Sequence, residues 1–370
     1  MYKTCKMRQP SENGVKYYEF FMAGRWTAPP NSHTQGHTMK KIAIALSALL
    51  AVAGITGCGQ KNESPEAEPK APASAKLKIG VSLPAADHGW SGGIISAAEL
   101  AKKEVEAANA DVEVLLTIGK DATEQHDKID NLVARGIDAL VVVCQEPGPI
   151  TPACVRAHDK GVYTVIVSNP MSDPSCQDLF INGDNTNLGE QAARAIGKLI
   201  GGKGEILVME GILCPINTQR VEGFNRVLKE EFPEIKILES QPAWWDTEKG
   251  MNLMETYLGK YKQIDGIWVG DDDVLVGAIK AYENSGRSDI KAMVGGGGSK
   301  IVVKRIMDGD PVVRATVTYP PMMAHRGIVE ALKGLRNGKK PVDGVKEIVI
   351  PSEIVTQENA KDFYYPESLY

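Results

Sequence analysis

No block of Lys or Arg interrupts the 370-residue chain, and its formal net charge is -5. A nucleic-acid-binding role therefore finds no basic excess to start from. Cysteine is scarce as well. None of the six cysteines forms a Cys-x-x-Cys pair, and no histidine stands at ligand spacing from them, which argues against a zinc site. The chain also lacks a Gly-x-Gly-x-x-Gly fingerprint, a Gly-Lys-Ser/Thr sequence after its glycine run, and any nucleophile motif. An enzyme reading is left with little to rest on, and no cofactor is expected. What remains is 43% hydrophobic and 24% charged. That balance fits a soluble globular protein with a sizeable core, long enough for about two domains.

The amino-terminal part reads in three pieces. Residues 1–38 lack a clear period and read as an extension from an upstream start. Met39-Lys40-Lys41 then forms a positive segment, followed by an apolar run over Ile42–Ile55. At 14 residues the run is short for a membrane span, which needs about 20. It suits the core of an export signal over residues 39–57. Ile55-Thr56-Gly57-Cys58 resembles the lipobox of bacterial lipoproteins. That resemblance implies cleavage before Cys58 and lipid attachment to it, and so a membrane partner through the anchor. Residues 58–76 are rich in Pro, Ala, Glu and Lys, with almost no large apolar group. Such a segment cannot offset ordering entropy by burial and reads as a flexible tether.

From Leu77 onward apolar runs alternate with stretches whose apolar residues recur every three or four positions. Strands are expected at 77–83, 112–118, 139–144, 162–168 and 179–182, with helices at 92–109, 122–135 and 150–160 between them. The pattern then restarts. Strands are expected at 205–209, 235–240, 266–269, 292–294 and 314–318, and helices at 217–232, 247–261, 274–285, 300–308 and 322–335. Leu140-Val141-Val142-Val143 is apolar throughout, as befits a sheet covered on both faces. The fold class is therefore α/β: two similar lobes with parallel sheets flanked by helices. Ligands of such sheets bind beyond the carboxyl ends of the strands.

Several segments, in order, carry a family resemblance. They are Ile79-Gly80-Val81-Ser82-Leu83-Pro84 with Asp87-His88-Gly89-Trp90; Asp121-Ala122 with Gly136-Ile137-Asp138-Ala139-Leu140; Gly183-Asp184-Asn185; Gln219-Arg220-Val221-Glu222-Gly223-Phe224; Gln241-Pro242-Ala243 with Trp245-Asp246; and Asp271-Asp272. Over residues 77–356 the chain resembles the type I periplasmic binding proteins, within them the ribose-binding-protein-like group. The resemblance implies two Rossmann-like lobes joined by a hinge of three crossings, near Gly183-Asp184, Tyr319-Pro320 and Ser352–Ile354. It places 77–183 with 320–353 in one lobe and 184–319 with 354–370 in the other. It also implies capture of a sugar or polyol for an ABC transporter permease and its ATPase, by a monomer exported to the periplasm or cell surface. The alternative on the same fold is a chemotaxis or quorum-signal receptor. Transcriptional repressors share the fold but begin with a helix-turn-helix, whereas an export signal stands in that place here.

The same resemblance assigns the ligand site to Asp87, His88, Trp90, Cys144, Asn169, Arg220, Trp245, Asp271 and Tyr319. Trp90 and Trp245 would come from different lobes and stack on the two faces of the ligand; Trp244 is the neighbour that could replace Trp245. His88 reads equally as a contact or as a surface histidine. Arg220 donates only and an ionised Asp271 accepts only, a pair suited to adjacent hydroxyls. Asp271 also stands where it can cap a helix. The chain departs from the family pattern at Cys144, where an amide is usual. It departs again at Ser168-Asn169, in place of Asp-Arg; at Gly297, in place of a carboxylate; and at Tyr319, in place of Gln. Gly295–Gly298 before a helix leaves a phosphorylated ligand as a lesser alternative. Export permits disulfides, and Cys154 with Cys176 is the expected pair.

Overall fold

The computed structural model describes residues 76–370. The readings of the signal peptide, of Cys58 and of the tether up to residue 75 lie outside the described residues. The first six-stranded sheet holds β1 (Leu77–Pro84), β2 (Val112–Gly119), β3 (Ala139–Val143), β4 (Tyr163–Val167), β5 (Leu179–Gly183) and β11 (Glu347–Ile350). The second holds β6 (Lys203–Glu210), β7 (Glu234–Pro242), β8 (Gly266–Val269), β9 (Ala292–Val294), β10 (Val313–Val317) and β12 (Ile354–Thr356). Helices alternate with the strands: α1 (Gly89–Ala108), α2 (Ala122–Ala134), α3 (Pro147–Asp159), α4 (Asn185–Leu199) and α5 (Pro215–Glu231). After them come α6 (Thr247–Lys260), α7 (Asp272–Ser285), α8 (Lys300–Met307), α9 (Met323–Arg336) and the short α10 (Ala360–Phe363).

The order β11-β5-β4-β3-β1-β2 in one sheet is repeated as β12-β10-β9-β8-β6-β7 in the other. Every pairing is parallel except β10 with β12. The two-lobed α/β architecture read from the sequence is thus the one observed. β3 and β4 are buried along their whole length. Their runs of Val, Ile and Leu need no polar alternation because helices cover both faces. Local chemistry sets the helix ends. The Asp121 and Asp246 carboxylates accept from the backbone N–H of Glu124 and Lys249, each at 2.8 Å, and start α2 and α6. Gly286, with φ of 68°, ends α7 in the left-handed region.

Chain direction between the sheets positions the site. β5 ends in the first sheet, and α4 packs beside α5 on the second. β10 ends in the second, and α9 packs on β3 and β4 of the first. β11 and β12, three residues apart, belong to different sheets. In both sheets the strand order reverses beside β1 and β6, so the loops after β1, β3, β6 and β8 open at the switch points where this architecture binds ligands.

Most strands form within a residue or two of the expected spans. The sequence reading contained no counterpart of α4, β11 or β12. The expected Cys154–Cys176 disulfide is not formed: Cys144, Cys154, Cys176 and Cys214 are free thiols. The first three pack as small apolar groups in one hydrophobic cluster with Ile150 and Ile166, and burial raises the Cys144 thiol to about 12.

Candidate functional site

The loop after β1 is built around Ser91. Its hydroxyl accepts from the backbone N–H of Asp87 at 3.1 Å and of His88 at 3.2 Å, and donates to the Asp87 carboxylate at 2.9 Å. That carboxylate also holds His88 Nδ1 at 2.5 Å. Burial opposes a charge on His88, but the bond to Asp87 and the fields of Asp271, Asp87 and Asp273 outweigh it, so its pKa lies above the usual value. His88 is therefore an organised group whose cationic form is favoured by its neighbours, and not a free surface histidine. Its ring lies 6.4 Å from Trp90 and 6.5 Å from Trp245. The imidazole thus stands beside both indoles, in a place the sequence reading had given to the ligand.

Three consecutive carboxylates follow β8 and divide the work. Asp271 caps α7 by accepting from the Asp273 N–H at 2.8 Å, and is buried. Burial and repulsion from Asp273 push its pKa up to about 7, against the pull of His88 and Arg220. Asp272 turns inward. It accepts from the N–H of Gly298 at 2.9 Å and Ser299 at 2.7 Å, and from the Thr316 hydroxyl at 2.8 Å. It thereby ties the glycine run to the sheet. Asp273 reaches the other lobe and accepts from the Trp90 N–H at 3.3 Å. A carboxylate there also meets the positive end of α1.

Arg220, on α5, is buried. Its Nε donates to Asn185 Oδ1 at 3.0 Å and its Nη1 to the Gly270 carbonyl at 2.7 Å. Two of the five guanidinium donors are thus used. The guanidinium lies over the Tyr319 ring, 4.5 Å from its centroid. Tyr319 sits at the crossing between β10 and α9 and works as a hub. Its hydroxyl meets Ser168 Oγ at 3.0 Å and Asn182 Oδ1 at 3.3 Å, and its carbonyl accepts from Trp90 Nε1 at 2.9 Å. A side chain at Gly183 would strike its ring.

Trp244 and Trp245 both have positive φ, at 63° and 58°. The strained turn sends them opposite ways. Trp244 is 44% exposed with Lys249 over its ring, whereas Trp245 packs its Nε1 against Gly211 and faces His88. Buried polar atoms of these loops have no partner in the protein: Asn169 Oδ1, Trp245 Nε1 and Tyr370 Oη. With Asp271 and the spare donors of Arg220 they mix donors and acceptors, the complement of hydroxyl groups. An open depression of about 780 Å³ on the outer side of α6, α7 and α8 carries none of these groups.

Residues 79–340 match the periplasmic binding protein domain family. The chain belongs to that family.

The relatives of this periplasmic binding protein include the xylitol-binding protein of Mycolicibacterium smegmatis, 26% identical over 275 residues, or 74% of each chain. The D-apiose import binding protein of Paraburkholderia graminis is 29% identical over 269 residues, 70% of this chain and 84% of the relative. Among solved structures, a galactofuranose binding protein superposes with a TM-score of 0.70 at 22% identity. It covers 80% of this chain and 100% of its own. A solute binding protein of Bacillus halodurans with bound myo-inositol gives 0.70 at 23%, covering 81% and 100%. The last two establish the fold. The matched relatives are binding proteins and not enzymes, and so is this chain.

The structure brings Asp87, His88, Trp90, Arg220, Trp245, Asp271 and Tyr319 into one network between the lobes. Cys144 stands at its edge, its thiol directed at the Asn169 carbonyl at 3.7 Å. Asn185, Asp273 and Tyr370 were missed. Asn185 belongs to the quoted Gly183-Asp184-Asn185 segment, and Asp273 to the Asp run, so both had a signal. Tyr370 had none.

Proposed function

We propose that this periplasmic binding protein captures a neutral polyhydroxylated molecule, a sugar or polyol, between its lobes and hands it to an ABC importer. The observation that carries the reading is that Arg220 and Asp271 are both buried, each bonded elsewhere and not to the other, in a region that also holds buried polar atoms without a partner: Asn169 Oδ1, Trp245 Nε1 and Tyr370 Oη. Arg220 keeps donors to spare while Asp271, when ionised, offers only acceptors, so a polyhydroxylated ligand whose hydroxyls accept from one and donate to the other satisfies both. The mixed set suits hydroxyls better than a phosphate, which would meet Asp271 and Asp273 as like charges. Names of relatives that bind xylitol, D-apiose and ribose agree with this class.

The reading extends to export and anchoring: the apolar run before Cys58 acts as the signal and Cys58 carries the lipid. Among the described residues no helix is long and apolar enough to cross a membrane. In the native host Cys58→Ala should move the protein from the detergent phase to the soluble phase, and retention in the detergent phase would refute the anchor. Deleting the gene should abolish uptake of the labelled sugar or polyol that the protein binds; undiminished uptake would refute delivery.

A further inference from the structure

Tyr370 enters the cleft. After α10 the chain runs back over α8, where Lys300 Nζ donates to the carbonyls of Pro366 at 3.1 Å and Ser368 at 2.5 Å. The Tyr370 N–H then donates to Ser368 Oγ at 3.2 Å. These bonds turn the segment inward, and Tyr370 is only 6% exposed.

Its ring spans both lobes. At the first lobe a Cβ placed on Gly93 of α1 would stand 2.9 Å from the Tyr370 Cβ, and 2.8 Å from Pro321 at the crossing. At the second lobe a Cβ placed on Gly297 would collide with the Tyr370 hydroxyl. Gly297 has φ of 129°, a backbone conformation that side chains avoid. The phenol thus fills the space a side chain at position 297 would need. Neighbouring charges confirm its surroundings: burial, Asp271, Asp272 and Asp273 all oppose ionisation, and Arg220 opposes them. The phenol is neutral, buried and without a partner in the protein.

We propose that Tyr370 is a ligand-contacting residue that sets the specificity of the cleft, its phenol supplied by the carboxyl-terminal tail where the loop at Gly297 carries no side chain. The assignment rests on the sugar or polyol reading of the same cleft. A neutral phenol both donates and accepts, so it complements a donor-only Arg220 and an Asp271 that accepts when ionised. Its ring offers an apolar face to the C–H side of a sugar. A carboxylate at position 297 would be acceptor-only and would add a fourth negative charge beside Asp271, Asp272 and Asp273. Compared with a carboxylate, the phenol attracts cationic ligands less and can donate a hydrogen bond to a hydroxyl oxygen.

Two measurements test this. First, iodination of the Tyr370 ring, read by peptide mass spectrometry, should be at least about tenfold slower in the native protein than in the unfolded one, because a buried ring is exposed rarely. Modification at the unfolded rate would overturn the proposal whatever the ligand is. Second, the full chain and its Tyr370→Phe variant are titrated calorimetrically with D-ribose, xylitol and myo-inositol. The variant should bind the probe the wild type prefers about tenfold more weakly, at an unchanged melting temperature. Wild-type binding with equal affinity in the variant would overturn this assignment alone. Tighter binding by a variant lacking Tyr370 would make the residue a plug and overturn it too. Binding of none of the probes by the wild type would contradict the proposed function, and this assignment with it.

Discussion

Replacing Arg220 separates what the guanidinium does for the fold from what it does for the ligand. The side chain makes two charge-assisted hydrogen bonds, to Asn185 Oδ1 and the Gly270 carbonyl, and covers the Tyr319 ring. Each such bond is worth about 1.5–3 kcal/mol, and the ring contact about 1 kcal/mol. Truncation also removes the cost of burying a cation, on the order of several kcal/mol. Arg220→Ala should therefore lower unfolding stability by about 2–3 kcal/mol, readable from urea titration. Binding should suffer more, because the ligand hydroxyls lose a buried cationic donor. Loss of one partner of a buried charged hydrogen bond costs about 2–5 kcal/mol, roughly 30-fold to several thousand-fold in Kd. Arg220→Lys keeps the charge but cannot reach Asn185 and Gly270 while lying flat on Tyr319. It should recover stability better than affinity. Arg220→Ala binding the ligand within twofold of the wild type would refute the clamp.

Three further outcomes follow from the same geometry. Ligand hydroxyls donate to ionised Asp271, whose pKa lies at about 7, so binding should be about tenfold weaker at pH 6 than at pH 8; calorimetry showing a flat profile would contradict this. In the ligand-free protein the sign reverses. A raised carboxylate pKa contributes stability that is complete below its unfolded value and lost as pH rises through about 7. Asp271→Asn should therefore lose less stability than the wild type between pH 5 and pH 8 in urea melts, and equal losses would refute it. Trp245→Ala should weaken binding at least about tenfold while Trp244→Ala changes it less than twofold, because the first indole faces the cleft and the second faces solvent; equal effects in titration would place the cleft elsewhere.

Much of this arrangement was legible before any coordinates. Uninterrupted runs such as Leu140–Val143 mark strands covered on both faces, and the restart at residue 205 marks a second lobe. Arg220, Trp245 and Asp271 stood out because the segments around them carried the family pattern. Where the reading fell short, the physics is local. The face that α4 buries holds Gly189, Ala192, Ala193 and Gly197 beside only Leu188 and Ile196, a weak apolar signal. Its small residues serve close packing instead: a Cβ at Gly189 would strike the Arg220 carbonyl, and one at Gly223 the Thr186 carbonyl. β11 and β12 are four and three residues long and only partly buried, so alternation had no length over which to show. Cys154 and Cys176 share a cluster without bonding, since proximity alone does not supply bond geometry. The contact of Tyr370 with Gly93 and Gly297 joins positions 277 and 73 residues away in the chain, which no periodicity reports.

The central claim, that this cleft closes on a neutral polyhydroxylated ligand, is tested most directly by thermal melting of the full chain against D-ribose, D-apiose, xylitol, myo-inositol and D-ribose 5-phosphate, followed by titration of whatever binds. A ligand at about 100 times its Kd adds about 2.7 kcal/mol, or about 4 °C for a domain pair of this size. At least one neutral compound should produce that rise with one site per chain, and the rise should vanish in Arg220→Ala. A rise with the phosphorylated sugar alone, or one that survives in Arg220→Ala, would contradict it.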